Sequence, residues 1–179
     1  MSYSLSQLFD DILVHRAEHG CGAYPYEQSE MLPLICKKYH AKRILELGTG
    51  LGYSSLCLLL GDNEVAIDTI DQDDTHIALA KENWKRFGVS ERITSYYGKA
   101  EDMLHEVTGP YDAIFFDGYV PSMKFLMQFE NLLKKGGVLI TANLYLRDIT
   151  GGKYVRALKK EYRWQTLITG ETAVSEKLF

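Results

Sequence analysis

The feature that most limits the fold is a repeated alternation of short apolar strands with helical segments. Segments with helical periodicity lie between five strand-like stretches, at 43–47, 64–70, 92–98, 111–117 and 138–143. Alternation of this kind builds βαβ units, which place helices on both faces of a parallel sheet. Two further strand patterns, 163–169 and 172–178, close the chain. We therefore predict an α/β fold whose seven-stranded sheet is mostly parallel, with the last strand antiparallel.

Length and composition narrow the possible classes. The 179 residues suffice for one domain, 1–179, which we divide into an N-terminal helical lid over 1–40 and a core over 41–179. The net charge of −4 argues against a protein that binds polyanions over its whole surface. No apolar run approaches the roughly 18 residues of a membrane span. Three cysteines without CxxC spacing predict reduced thiols and a cytoplasmic protein outside the membrane.

A glycine-rich turn follows the first strand, in the stretch "ILELGTGLGYSS" of residues 44–55. Its glycines are Gly48, Gly50 and Gly52. Glycine permits positive φ and a close approach of the backbone to a ligand. Parallel sheets bind ligands just beyond the carboxyl ends of their strands. The turn therefore predicts a binding loop, although the GxGxG spacing alone does not identify the ligand.

Neighbouring residues narrow the ligand. Asp71 ends the next strand, where an acid can accept both hydroxyls of a ribose. Tyr53 occupies the place of the last small residue of GxGxxG, which disfavours a pyrophosphate at the helix start. Glu46, inside the strand end, would repel a pyrophosphate and attract an ammonium group. These features favour S-adenosylmethionine and disfavour a dinucleotide dehydrogenase.

Several segments together resemble the class I S-adenosylmethionine-dependent methyltransferases, and within them the small catechol-type O-methyltransferases. The first two motifs of that family are matched by "LELGTGLGYSS" and "TIDQDDTHIALAKENWKRFGV". The adenine-contact segment and the fourth and fifth strands are matched by "YYGKAEDML", "YDAIFFDGY" and "LLKKGGVLITANLYL". The resemblance runs from about residue 20 to the end of the chain. It implies a Rossmann-like class I methyltransferase fold that binds S-adenosylmethionine.

The resemblance also implies where the methionine part of the cofactor lies. Glu46, Gly48 and Gly50 would line it. Ser54 would hold its carboxylate from the start of the following helix, where free N–H groups favour an anion. Asp117 would sit beside the reactive methyl group, and we take it as the catalytic residue.

The remaining cofactor contacts follow from the same resemblance. Asp71 would accept the ribose hydroxyls and Gln72 would flank the adenine. The adenine edge would be bordered by Lys99, Ala100 and Glu101.

Two positions depart from the family pattern. The family holds a divalent cation with an Asp after the fourth strand and an Asp-Asn pair after the fifth. Asp117 and Asn143 match, but Ala142 replaces the middle ligand. Magnesium prefers several oxygen ligands in octahedral array, so we expect no strong magnesium site and assign no metal ligand. Val120 replaces the lysine that serves as the family's base.

The missing lysine leaves the general base open. Lys124 is near in sequence, but the predicted helix carries it about one turn away. The other candidates are Asp117, Tyr119, Tyr145, His15 and His19. Histidine is the residue type whose charge changes near neutral pH, although a histidine on an exposed helix is usually a surface residue.

The acceptor pocket is expected to involve the loop 21–30, "CGAYPYEQSE", which precedes the core. An aromatic wall could be made by Tyr24, Tyr26 and Tyr119, or these residues could be packing aromatics. Asn143 joins them as a substrate-binding candidate.

A basic face near the C-terminus keeps RNA open as a partner. Residues 122–179 hold 10 Lys and Arg against 5 Asp and Glu. On a helix predicted over 152–162, one face would carry Lys153, Arg156, Lys160 and Arg163. Such charge suits phosphate contacts, but a solvated helix face explains it as well.

Three functions remain at this point. The first is O-methylation of a small hydroxylated molecule. The second is methylation of a modified uridine in tRNA. The third is a non-catalytic module that binds S-adenosylmethionine or a nucleotide. A homodimer, common in the family, is left open.

Overall fold

The computed structural model describes residues 3–146 and 152–179. The helices are α1 (Leu5–His19), α2 (Met31–Lys38), α3 (Tyr53–Leu59), α4 (Asp74–Arg86), α5 (Ala100–Met103), α6 (Met123–Leu132) and α7 (Gly152–Leu158). The strands are β1 (Arg43–Leu47), β2 (Ala66–Asp71), β3 (Ile93–Tyr97), β4 (Tyr111–Phe116), β5 (Leu133–Thr141), β6 (Trp164–Thr169) and β7 (Thr172–Lys177).

The seven strands form one sheet in the order β3-β2-β1-β4-β5-β7-β6. Strands β1 to β5 are parallel, and β7 runs antiparallel to both β5 and β6. The predicted α/β fold and the antiparallel last strand are confirmed. The strand order reverses between β1 and β4, and such switch points open a crevice at the carboxyl ends of the strands.

The central strands are buried on both faces, as their continuous apolar sequences predict. Leu45 and Leu47 of β1 point into a core shared with α5, α6 and α7, whereas Ile44 points into a core shared with α2 and α3. This alternation follows from the two-residue period of a strand. The sheet is thus held rigid at its centre, where β1 and β4 carry the crevice.

The N-terminal helix α1 packs on the core through Leu8 and Ile12, which are buried against α3 and α4 in a third cluster that includes Trp84. Ser4 caps the helix by accepting the Gln7 N–H. Among the described residues, every helix is too short or too polar to cross a lipid bilayer.

Two element boundaries differ from the sequence-based prediction by four or five residues, and the other strand ends differ by two residues or fewer. The strand expected from residue 138 already begins at Leu133, which pairs with Tyr111 before an irregularity shifts the register to Val138 and Ala113. The helix expected over 152–162 ends at Leu158, whose carbonyl accepts the Thr166 hydroxyl of β6 at 2.7 Å.

The close approach of β1 and β4 yields a stability prediction. A side-chain carbon on Gly48 would lie 2.5 Å from the Asp117 carbonyl oxygen, and the Gly48 φ is +96°. We expect Gly48→Ala to lower the free energy of unfolding by about 3 kcal/mol or more, since strain and overlap add. Gly88 is the matched control, with φ +70° and open space around it. The free energy of unfolding should fall by only about 1–2 kcal/mol in Gly88→Ala. Urea unfolding measures both, and equal losses would show that the strand ends have room to separate.

Candidate functional site

An open cavity of about 1270 Å³ lies at the carboxyl ends of β1, β2, β4 and β5. Most of the residues that the sequence singles out border it. They are Tyr24, Tyr26, Gly48, Gly50, Ser54, Asp71, Gln72, Asp117, Tyr119 and Asn143. The turn after β1, the ends of β2 and β4 and the loop before α2 are therefore brought together at one place.

The glycine turn has the backbone that its sequence predicts. Gly48, Gly50 and Gly52 all have positive φ, at 96°, 48° and 83°. Gly48 donates its N–H to the Ile70 carbonyl at 2.9 Å. A β-carbon on Gly52 would overlap the Trp84 ring at Nε1. Glycine is therefore required at this turn by its neighbours as well as by its conformation.

Asp71 ends β2 with its carboxylate held from two sides. Gly50 N–H donates to Oδ2 at 2.9 Å, and Asp73 N–H donates to Oδ1 at 3.0 Å. The side chain borders the cavity but is otherwise buried. The carboxylate thus joins the glycine turn to the end of β2, and it keeps lone pairs for a ligand hydroxyl.

His76 lies next to Asp71, with Nδ1 3.7 Å from Asp71 Oδ2. Burial of the ring opposes protonation. Asp71, Cys21 and Asp73 nevertheless raise the pKa of His76 to about 9. This corner of the cavity therefore favours a positive charge.

Glu46 is fully buried beneath the turn and does not border the cavity. Its carboxylate accepts the hydroxyls of Ser54, Ser55 and Thr69. Burial raises the pKa of Glu46 to about 7, although these hydroxyls favour the charged form. Ser54 borders the cavity, and its hydroxyl proton is directed to Glu46 at 2.6 Å. The predicted contacts of both residues with the methionine part stay predictions.

The predicted adenine-edge residues lie beside the cavity and do not line it. Ala100 is buried at the start of α5, Lys99 is exposed, and Glu101 is half-buried. Gln72 and the exposed ring of Tyr97 line the cavity in this region. The contacts proposed for residues 99–101 remain predictions.

Asp117 and Asn143 meet at the other side of the cavity. Asn143 adopts a left-handed φ of 51° and donates its side-chain amide to Asp117 Oδ1. Gly118 N–H donates to the same oxygen at 2.7 Å. Burial raises the pKa of Asp117 to about 6, while the Gly118 N–H opposes the shift.

This pair does not fit a magnesium ion. Ala142 contributes no oxygen and is buried. Asn143 directs its amide nitrogen toward the carboxylate that would have to share the ion with it. Magnesium requires near-octahedral oxygen coordination, and these residues supply one carboxylate and one amide.

The three predicted aromatic residues differ in their surroundings. Tyr26 is tied into the core, with its hydroxyl 2.8 Å from Thr172 Oγ1 and its ring edge-on to Phe115. Tyr119 stacks on Phe116. Tyr24 is 46% exposed and lies near the Arg16 guanidinium. Tyr24 is thus the most available of the three, whereas the other two also serve packing.

Two parts of the lining were not found from the sequence. The β6–β7 turn contributes Gly170, Glu171 and Thr172. The direction of β7 places this turn at the carboxyl edge, so the antiparallel last strand was a usable signal. The other part comprises Asp73 and His76 near the start of α4. The packing of α1 brings them beside His19, which the sequence offered only as a candidate base.

Comparison with known proteins identifies relatives along most of the chain. A family model described as O-methyltransferase matches residues 6–158. A catechol O-methyltransferase of Niastella koreensis is 33% identical over 156 residues, which cover 82% of this chain and 70% of that relative. The matched region spans 63% and 57% of two further relatives, O-methyltransferases from mycobacteria.

Solved structures show the same fold. An O-methyltransferase from Bacillus cereus, in complex with S-adenosylhomocysteine, aligns with a TM-score of 0.80 at 22% identity, covering 94% of this chain and 90% of that one. The O-methyltransferase TomG from Streptomyces achromogenes, in complex with S-adenosylmethionine, aligns with a TM-score of 0.82 at 20% identity, covering 96% and 89%.

The buried Glu46 yields a prediction about pH. Its folded-state pKa of about 7 exceeds the ordinary value of 4.5, so its contribution to stability is complete below pH 4.5 and is lost as the pH rises through 7. In the wild type, this group should lower the free energy of unfolding by on the order of 3 kcal/mol as the pH rises from 4.5 to 7. The Glu46→Gln variant should not show this decrease. Urea unfolding at several pH values compares wild type, Glu46→Gln and Glu82→Gln, which changes an exposed glutamate of α4. Parallel pH curves for wild type and Glu46→Gln would contradict the assignment.

Proposed function

The chain belongs to the S-adenosylmethionine-dependent O-methyltransferase family, and on that premise we propose that it methylates an oxygen of a small hydroxylated molecule without a strong magnesium site. One observation carries this proposal. The glycine turn and Asp71 border the same cavity as the Asp117–Asn143 pair, so a cofactor side and an acceptor side face a common space.

S-adenosylmethionine supplies a methyl group on a cationic sulfur, which keeps the electron pair of the broken C–S bond when an acceptor oxygen forms the new C–O bond. Asp71 would accept the ribose hydroxyls, since its carboxylate is already positioned by the N–H groups of Gly50 and Asp73. Gly48 and Gly50 would let the backbone approach the methionine part. Much of the rate enhancement would therefore come from positioning.

We propose that Asp117 is the general base that accepts the proton of the acceptor hydroxyl. The hydrogen bonds that reach its carboxylate within residues 3–146 and 152–179 both end on Oδ1, so Oδ2 is the oxygen proposed to accept that proton. A pKa raised to about 6 by burial makes this carboxylate a stronger base than an exposed aspartate. Asn143 would orient the carboxylate through its amide.

The alternative of RNA methylation has less support. Helix α7 ends at Leu158, so Lys160 and Arg163 do not continue its basic face. Arg163 instead pairs with Glu130 at 2.9 Å. A small-molecule acceptor therefore remains the proposal, and activity on bulk tRNA would reverse the preference.

Location and assembly remain proposals. The three cysteines carry free thiols, which supports a cytoplasmic protein. A homodimer rests on the resemblance alone, and sedimentation of the purified protein tests it.

The cofactor assignment is tested by calorimetry with S-adenosylhomocysteine, and with NAD as control ligand. We expect binding of the first and none of the second. Asp71→Ala should weaken binding by roughly 1–3 kcal/mol, about 5- to 150-fold in Kd, because ribose hydroxyls lose a charged partner. Asp74→Ala removes an exposed acid of the same charge at the same cavity and should leave the Kd unchanged. Equal affinity for both ligands would overturn the proposed function, and equal losses in both variants would show that only overall charge matters.

Turnover tests the acceptor side with a panel of catechols and simple phenols and a magnesium titration. We expect a rate that magnesium does not change. Asp117→Asn should lower kcat by about 10²-fold or more, the lower range for a general base, while the affinity for S-adenosylhomocysteine is kept. Lys124→Met, at an exposed position of α6, should retain the wild-type rate. Magnesium-dependent turnover would show that the chain keeps the family's metal site. An unchanged kcat in Asp117→Asn would show that another residue is the general base.

A further inference from the structure

Three of the five histidines of the chain meet where α1 crosses the start of α4. His15 and His19 lie one turn apart on α1, so their side chains share a face. His76 belongs to the first turn of α4. The ring centroids are 4.8, 5.3 and 5.8 Å apart, and one ligand atom of each ring lies within 4.8 Å of the other two.

The hydrogen bonding of these rings is incomplete. Within the described part of the chain, Nε2 of His15 and Nε2 of His76 are buried without a hydrogen-bond partner. Buried polar atoms almost always have a partner, and an exception calls for an explanation such as an ion. Two such atoms in one cluster therefore point to a shared ligand.

Asp73 places a carboxylate oxygen at the same point. Its Oδ1 caps α4 by accepting the N–H groups of Thr75 and His76. Its Oδ2 lies 3.0 Å from His19 Nε2 and 3.7 Å from His76 Nε2. The cap fixes the side chain, so the second oxygen is directed at the histidines without further cost in ordering it.

We propose that His15, His19 and His76 bind a divalent transition-metal ion of the zinc class, with Asp73 as the fourth ligand. Imidazole nitrogens and one carboxylate suit such ions better than magnesium or calcium. Ligand atoms about 2.0–2.1 Å from a tetrahedral zinc ion lie about 3.4 Å apart. The three histidine ligand atoms, now within 4.8 Å of one another, would need to approach by about 1.4 Å at most, which side-chain rotations can supply. The nearby Asp71 carboxylate adds to the negative charge that favours a cation here.

The ion would fasten α1 to α4 beside the cofactor side of the cavity. His19 and Asp73 border that cavity, and Asp73 donates its N–H to Asp71. The loop that follows α1 supplies Cys21 to Gln28 to the same lining. The ion would therefore hold the N-terminal segment in place over the crevice. This role does not rest on the proposed methyl transfer.

The first test measures metal binding on tag-free protein that has been stripped with a chelator and dialysed. Zn²⁺ is titrated against a chromophoric chelator, and Co²⁺ is followed by visible spectroscopy. We expect one ion per chain and the intense bands of four-coordinate Co²⁺, with Mg²⁺ giving no competition. Failure of both Zn²⁺ and Co²⁺ to form a one-to-one complex would overturn the proposal.

Substitutions locate the site. Loss of even an outer partner of a ligand lowers metal affinity about 10- to 100-fold, so His15→Gln should weaken Zn²⁺ binding by at least about 100-fold. His105→Gln is the matched control, because His105 is exposed and lies outside the cluster, and it should bind as the wild type does. Unchanged affinity in His15→Gln would overturn the assignment. His19→Gln, at a more exposed position, repeats the test if His15→Gln does not fold.

The fourth ligand is tested by Asp73→Asn. Asn caps a helix as well as Asp does, so the fold of α4 is kept while the carboxylate is lost. Because Asp73 is proposed as a direct ligand, we expect a loss of affinity of at least about 100-fold, as for His15→Gln. An unchanged Kd would overturn the place of Asp73 in the ligand set.

The fastening role has its own readout. Arg16 lies between the two histidines of α1 and is exposed to solvent, and trypsin cleaves after arginine. Zn²⁺ should slow cleavage after Arg16 in the wild type and in His105→Gln, and not in His15→Gln. Cleavage at the same rate with and without Zn²⁺ would show that the ion does not hold α1.

Discussion

The site depends on one backbone contact, where β1 and β4 approach each other at the reversal of strand order. Asp117 donates its N–H to the Leu47 carbonyl at 2.9 Å, and Gly48 leaves no room for a side chain beside the Asp117 carbonyl. The contact brings Asp117 to the cavity and starts the left-handed path of the glycine turn. The spacing between the proposed cofactor side and the proposed acceptor side is thus set by the sheet itself. A ligand that enters this crevice meets two sides whose separation is already fixed.

Beneath the turn, Glu46 links this geometry to the choice of ligand. Burying a carboxylate is unfavourable unless it is hydrogen-bonded, and the hydroxyls of Ser54, Ser55 and Thr69 compensate for it. The need to pair Glu46 in turn explains why these hydroxyl side chains are buried beneath the glycine turn. With a pKa near 7, the group gains charge easily when a cation lies nearby. A negative charge on Glu46 would favour a ligand with an ammonium or sulfonium group over a pyrophosphate.

Sequence patterns were sufficient where local structure decides the outcome. The bounds of β1 were predicted correctly from "RILEL". Asp71 was expected at the cavity because it ends a strand, and Asp117 through the family resemblance, and both border it. Prediction failed where distant contacts decide. The end of α7 depends on Thr166 of the next strand, and the start of β5 depends on pairing with Tyr111. His76 was not proposed as a site residue, since two of its neighbours, His15 and His19, come from α1, whose docking no local pattern reveals.

Ligand chemistry separates the two regions that could attract a divalent ion. The proposed acceptor side offers the Asp117 carboxylate and the Asn143 amide, which are hydrogen-bonded to each other. Ala142 contributes no ligand atom. The meeting point of α1 and α4 offers three imidazoles and Oδ2 of Asp73, which already contacts His19. Magnesium and calcium require more oxygen ligands than the acceptor side supplies. Zinc and similar ions accept imidazole nitrogens together with a carboxylate. An ion at the histidines would therefore act on the cofactor side, and the chemistry at the acceptor would still depend on the carboxylate of Asp117.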